Sequence, residues 1–417
     1  MRKTLHFGRY DYAVYMAFIA YAMTSISIPL VLVEMGKSLN FPLDDGGMTA
    51  GGTLHCVRSC AILLSLLICG ILAGRFGKRR IMGISSLLIG CGIILCAVSP
   101  GYFFLLPFLL IAGLGEGLCE GLATPFVQAL HDDAPERYVN IADGMWSVGL
   151  FLCVMVSGFL LTAQMSWRLV LLVCGITALG AALMFFWKEH PERKYPEKAQ
   201  KEDAAAIWKH TAAIGKSGRF WLFCFGMFAG AGAEFCLTFW TASYLVLNFH
   251  ATAWTAGFGT AAIALGMFAG RMVFGYFAKP QYLKHLLLAC AVATIPFTAL
   301  LVFITPETFS SSATLFTVLT AVLLVCGFGI APFWPTLQVY GVNELPEYDS
   351  TMLYIYFSAM GIPGCGFFTW IMGFLGDRIG LRGAFFMLPL SLLLYGAIIL
   401  CAGWLFPRKK PQAEQGR

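Results

Sequence analysis

The chain has 417 residues, of which 59% are hydrophobic and only 12% charged, against about 25% charged in soluble domains. With a mean hydropathy of +0.76, it reads as an all-α membrane protein with the lipid bilayer as its surroundings. The net charge of +6 comes without a basic, aromatic-interleaved soluble face, so nucleic acid is not an expected partner.

A helix needs about 20 apolar residues to cross a bilayer. Twelve such segments are predicted, at about 11–34, 48–74, 80–99, 102–131, 138–164, 167–187, 219–247, 252–278, 282–304, 313–342, 350–375 and 382–406. The first follows Met1, Arg2 and Lys3 without a small-residue cleavage site, and reads as a retained helix rather than a signal peptide. With the N-terminus inside, 22 of the 28 Lys and Arg fall on the cytoplasmic side. That asymmetry predicts a multi-pass protein of the bacterial inner (plasma) membrane with both termini cytoplasmic. The hydrophilic stretch 188–218 divides the segments six and six. The expected units are therefore residues 1–187, a linker at 188–218, and residues 219–417. The Ala-rich middle of the linker reads as a short surface helix with Trp208 at the interface. The 14 cysteines have no Cys-x-x-Cys spacing and read as small apolar residues. Neither metal nor cofactor is expected. No Walker loop and no nucleophile with a base is present, so an enzyme is not expected, and a gradient is the expected energy source.

Charges inside the segments are the informative residues, because each costs roughly 2.5–3.5 kcal/mol at a helix centre. In segment two, Arg58 needs a carboxylate or an anion. It is expected either to pair with Glu116, Glu120 or Glu34, or to bind an acidic substrate. His55 lies one turn away and reads as a packing histidine or a proton relay. In segment four, Glu116 and Glu120 are four residues apart and share one face. They are candidates for proton coupling, Glu120 also for substrate binding, with Glu116 alternatively a polar link between helices. Asp143 in segment five is a second candidate partner for Glu120 and for substrate. Glu234 in segment seven is a candidate substrate ligand. Trp146, Trp240 and Trp334 are candidate platforms for the C–H face of a sugar, each with a packing alternative. Gln128 and Gln338 are repeated polar candidates. Pro332 and Pro335 should interrupt segment ten, and Gly361, Pro363, Gly364 and Gly366 allow segment eleven to bend.

The two halves resemble each other. Pro125 and Gln128 recur as Pro335 and Gln338 at an offset of 210. Ser147 and Gly149 recur as Ala359 and Gly361 at 212, and Gly158-Phe159-Leu160 before Trp167-Arg168 as Gly373-Phe374-Leu375 before Leu381-Arg382 near 214. A nearly constant offset indicates internal duplication, and two six-helix halves with substrate at the midplane are a transporter architecture. The loop after segment two, Gly70 to Arg80, resembles the major facilitator signature Gly-x-x-x-Asp-Arg-x-Gly-Arg-Arg. Gly70, Arg75, Gly77, Arg79 and Arg80 match, whereas Gly74 stands at the acidic position. The resemblance implies a cytoplasmic gate built on these residues, a twelve-helix fold of two pseudo-symmetric halves, and a monomer.

Glu120, Pro125-Phe126-Val127, Asn140, Ala142, Ser147 and Gly149 resemble helices four and five of the fucose–galactose–glucose:proton symporter family. Gly232-Ala233, Thr255 to Phe258, Gly270-Arg271 and Met372-Gly373-Phe374 with Asp377 follow the same pattern. The resemblance implies proton-coupled uptake of a monosaccharide or polyol, with sodium as the alternative ion. It also implies a substrate-facing Glu120 and Glu234. The family's helix-one carboxylate is missing, since Met23-Thr24-Ser25-Ile26 precede Pro29. Thr124 and Asp143 replace amides, so a helix-one and helix-four carboxylate pair does not carry over whole. Rival expectations are an organic-acid or sugar-acid carrier, a drug or metabolite exporter, and a membrane sensor on a transporter fold.

Overall fold

The computed structural model describes residues 7–131, 135–187, 195, 211–277 and 280–405. Among them are thirteen α-helices of ten residues or more and no strand. In the first half, α1 spans Arg9–Ser38, α2 Met48–Phe76, α3 Lys78–Ala97, α4 Tyr102–Leu130, α5 Pro135–Thr162 and α6 Trp167–Phe186. In the second, α7 spans Gly218–Phe249, α8 Ala253–Phe277, α9 Leu283–Phe303, α10 Ser312–Ile330, α11 Pro335–Glu344, α12 Ser350–Ala384 and α13 Met387–Leu405.

Eleven spans are long and apolar enough to cross a membrane, and α13 supplies a shorter apolar stretch, Met387–Ala402, as the twelfth. Segment ten is two helices. The α-helical hydrogen-bond pattern is interrupted over residues 331–334, between α10 and α11, where Pro332 and Pro335 each withhold an amide hydrogen, while Ala331 and Trp334 keep helical backbone angles. The predicted surface helix around Trp208 lies outside the described residues.

Hydrogen-bonded helices satisfy their own backbone in lipid, so what positions them is close packing of small residues. Within the first half, α1 packs on α5 and α6, α2 on α4, and α3 on α4 and α6. Within the second, α7 packs on α12 and α13, α8 on α10, and α9 on α10 and α13. Between halves, α2 packs on α12 and α8 packs on α5. Exchanging the halves turns one of these pairs into the other, which is the mark of a pseudo-twofold axis.

Glycine makes the α2–α12 seam. A Cβ at Gly52 would come within 2.8 Å of the Trp370 Cα, and one at Gly373 within 2.4 Å of the Met48 carbonyl oxygen. Asp377, near the end of α12, accepts the backbone N–H groups of Met48 (2.8 Å) and Thr49 (2.7 Å), the first residues of α2. Helix N-termini carry unsatisfied N–H groups and partial positive charge, so this carboxylate ties the halves together at the Met48 end. At that same end, Gly158 of α5 packs against the Trp254 ring of α8.

Candidate functional site

Polar groups converge where α1, α2, α4, α5, α7 and α8 meet, and they form two connected layers. The first is a buried ion pair. Arg58 donates from Nε to Glu116 Oε2 and from Nη2 to Oε1, both at 2.6 Å. Its Nη1 donates to the Ser25 carbonyl (3.0 Å) and its Nη2 also to Ser25 Oγ (3.2 Å), while Thr24 Oγ1 donates to Glu116 Oε1 (3.0 Å). Arg58 is 2% exposed and Glu116 fully buried.

Glycine lets the pair form. Gly113 and Gly117 flank Glu116 by three and one residues, and a Cβ at either would strike the α2 backbone at the Arg58 or Ile62 carbonyl. Helices α2 and α4 therefore lie close enough for a bidentate contact, the strongest geometry available to Arg and a carboxylate. Arg58 thus has donors committed on three sides, to Glu116 and to α1. Glu120, one turn further along α4, is half-buried, with Tyr21 of α1 and Cys365 of α12 in electrostatic reach.

The second layer is a cavity between the halves. Ser25, Ile26 and Pro29 line it from α1, His55 from α2, and Trp146 and Leu150 from α5. Glu234, Phe235, Thr238 and Phe239 line it from α7, and Thr260, Ala264 and Met267 from α8. Its walls are mostly aromatic and apolar. The His55 ring lies against Phe235 (centroids 5.4 Å apart, 22° between planes) and Phe239 (5.1 Å).

Two polar side chains in this cavity stand out. His55 is 6% exposed and neither of its ring nitrogens has a hydrogen-bond partner among the described residues. Glu234 is also 6% exposed. Its Oε1 meets Arg271 Nη2 of α8 only at 3.5 Å, and its Oε2 has no partner. Buried polar groups are almost always hydrogen-bonded. The His55 ring nitrogens and Glu234 Oε2 are not; they come from opposite halves, both residues line one cavity, and these atoms are open to a polar solute.

The remaining expected residues are dispersed. Trp146 lines the cavity. Trp240 is fully buried, donates from Nε1 to the Thr369 carbonyl (3.1 Å) and packs against Gly51 and Gly373 in the seam between halves. Trp334 is half-buried beside Gly361. Gln338 donates to Ser358 Oγ (2.8 Å), linking α11 to α12, and Gln128 is exposed. Asp143 lies in α5, but its side chain is outside the described residues.

The loop between α2 and α3 turns at Gly77, whose φ of 88° suits glycine. Gly70 has open space around it. Arg79 donates to the Phe185 carbonyl (2.9 Å), and Arg75 and Arg80 are exposed.

Sequence reasoning missed Phe235 and Phe239, which flank His55. Their signal was the spacing of four that puts both on one face of α7 beside Glu234. It also missed Asp377 as a cap, since the helix end that it caps lies 328 residues away.

Among solved structures, the chain is similar to a bacterial homologue of the human lysosomal transporter Spinster in an inward-facing and occupied conformation. The TM-score is 0.74 at 14% identity, covering 95% of this chain and 97% of that one. It is also similar to the E. coli fucose:proton symporter, at TM-score 0.60 and 17% identity over 94% of this chain and 98% of that one. Among curated proteins, the efflux pump hmp6 of Hypomyces subiculosus is 24% identical over 207 residues, 49% of this chain and 34% of that protein. The niacin transporter NiaP of Acinetobacter baylyi is 26% identical over 129 residues, 31% and 29% of the two chains. The match therefore spans about a third of the length of these curated relatives. Beyond these partial likenesses, the sequence model of the Major Facilitator Superfamily matches residues 13–367, across both halves of a fold that solved transporters share, and the chain belongs to that superfamily.

Proposed function

We propose that the chain is a secondary active transporter that takes up a small polar solute, a monosaccharide or polyol, together with a proton. Residues 1–187 and 219–417 rock about the cavity, joined by the linker at 188–218, so that the site opens to one side at a time. The protein works as a monomer in the inner membrane with both termini cytoplasmic. The Met48 end then faces outward, and the state described is the one closed to the outside. One observation carries the reading: the unpartnered ring nitrogens of His55 and the unpartnered Oε2 of Glu234, from opposite halves, share a cavity with an aromatic wall. A carboxylate accepts from hydroxyl groups, and a flat ring covers the apolar face of a sugar.

The committed donors of Arg58 weigh against an acidic solute, because its charge is already matched by Glu116. A second reading, a small aromatic solute, is favoured by the stack of His55, Phe235 and Phe239, and is in keeping with the partial similarity to a niacin transporter. The purified protein in sealed vesicles holding an internal pH dye separates the readings. Neutral sugars, polyols, sugar acids and nicotinate are added outside in turn. Acidification with a neutral sugar supports the first reading, a response to nicotinate alone replaces it with the second, and silence with every solute defeats both.

A further inference from the structure

We infer that Glu234 is the proton-carrying carboxyl of the transport cycle and that Arg271 is the partner it releases on protonation and recaptures on proton loss. The inference rests on the proton-coupled reading above and assigns its coupling site.

The buried carboxylates differ in what protonation would disturb. Glu116 accepts two short bonds from Arg58 and a third from Thr24. Adding a proton there removes the match for a guanidinium that is 2% exposed, and a buried charge without its partner is strongly unfavourable.

Glu234 is held by one long contact. Its Oε2 is bare, and Arg271 has its own orphan, an Nε without a partner among the described residues. A proton on Glu234 turns an acceptor-only group into one that also donates. An acceptor for that O–H is available in the same cavity, because a neutral His55 ring carries one basic nitrogen.

Arg271 is less enclosed by protein than Arg58. Its side chain is already 37% exposed. It sits six residues before the end of α8 at Phe277, about 9 Å at 1.5 Å per residue. A long basic side chain covers much of that distance to water while its stem stays in apolar surroundings.

Among the described residues, the titratable or charged groups near Glu234 are Arg271 from α8, His55 from α2 and Cys365 from α12, with Ser25 of α1 across the cavity. Cys365 also lies in reach of Glu120. The proton balance is simple: the carboxylate takes a proton from water on the side where the cavity is open and frees Arg271. After the halves rock, it gives the proton to water on the other side and Arg271 returns. A neutral Glu234 with Arg271 withdrawn leaves a less polar cavity, which suits passage through the occluded state.

The test does not need the solute. Infrared difference spectra of the full-length protein in liposomes, recorded on stepping from alkaline to acid pH, report the protonated carboxyl stretch directly. The expected result is a band in wild type that is lost in Glu234→Gln and kept in Glu120→Gln and Glu116→Gln. In Arg271→Gln, which leaves the carboxylate unmatched, the band should titrate at higher pH. A band that survives Glu234→Gln, or that disappears in Glu120→Gln, overturns the assignment, as does a wild type with no titrating band. If Glu234→Gln does not fold, Glu234→Asp serves: a band shifted in frequency supports the assignment and an unshifted one overturns it. A Glu234 band that titrates as expected, with no proton influx for any solute of the vesicle panel, defeats the transport reading rather than the titration.

Discussion

The carboxylate of Asp377 accepts the backbone N–H of Thr49 at 2.7 Å, so the end of α12 caps the first turn of α2 in the opposite half. The contact joins residues 328 apart. In the proposed rocking of the halves it is made only in the state closed at that end, and so stabilises that state over the other. A side-chain cap contributes about 0.5–2 kcal/mol, and every 1.4 kcal/mol is tenfold in an equilibrium. Asp377→Ala should therefore move the population toward the state open at the Met48 end by roughly 2- to 30-fold. Spin labels on the Met48 ends of α2 and α12 read the shift as a longer distance distribution. An unchanged distribution would show that the cap does not bias the cycle.

The buried pair of Arg58 and Glu116 makes a contrasting demand on the molecule. Removing one partner of such a pair costs about 3–5 kcal/mol, because the other charge is left buried and unmatched. Glu116→Gln and Arg58→Met should each lower the thermal unfolding temperature in detergent. The double variant Arg58→Met with Glu116→Leu should recover most of the loss, since apolar replacement of a whole buried pair is often neutral. If the singles are as stable as wild type, the pair is not holding α1, α2 and α4 together.

Two tryptophans that look equivalent in the sequence separate in the same way. Trp146 lines the cavity, while Trp240 is fully buried in the seam with its N–H on the Thr369 carbonyl. Trp240→Ala should destabilise by about 3–5 kcal/mol, as large buried aromatics do. Trp146→Ala should leave unfolding nearly unchanged and weaken solute binding. Thermal unfolding and the half-saturating solute concentration, measured on both variants, check the contrast. Equal destabilisation by the two would remove Trp146 from the site.

These distinctions mark how far the sequence could be read. The twelve spans and the break in segment ten were legible, because lipid requires long apolar runs and proline withholds a hydrogen bond. The pairing of Arg58 was readable only as a choice among Glu116, Glu120, Glu34 and an anion, since sequence spacing does not say how close α2 and α4 lie. Gly113 and Gly117 decide that distance.

A second repeat went unread. Gly373, Asp377, Arg378, Gly380 and Arg382 repeat Gly70, Gly74, Arg75, Gly77 and Arg79 at a constant offset of 303. Gly77 (φ 88°, ψ 141°) and Gly380 (φ 76°, ψ 155°) share one backbone conformation. The offset of 303 joins opposite ends of the bundle, so a search for tandem halves near 210 passes over it. At the Gly74 end the acidic residue is gone. At the Asp377 end it is present and capping a helix.

Close approach at the seam yields the last expectation. A Cβ at Gly52 would sit 2.8 Å from the Trp370 Cα and 2.9 Å from the Thr369 carbonyl oxygen. Both are backbone atoms of α12, so no side chain can turn aside to make room. Gly52→Val should therefore force α2 and α12 apart at the Met48 end while leaving contacts within each half intact. Overpacking of this kind costs about 1–3 kcal/mol, here charged to the closed state alone, so the population should shift by roughly 5- to 150-fold toward the open one. Alkylation of a single cysteine placed at residue 51, on the same turn of α2, measures this as faster labelling from the Met48 side. Slower solute exchange with retained binding should accompany it, because a carrier that cannot close at one end cannot complete its cycle. Unchanged labelling together with unchanged exchange would mean that the seam yields elsewhere, and that its glycines do not govern closure.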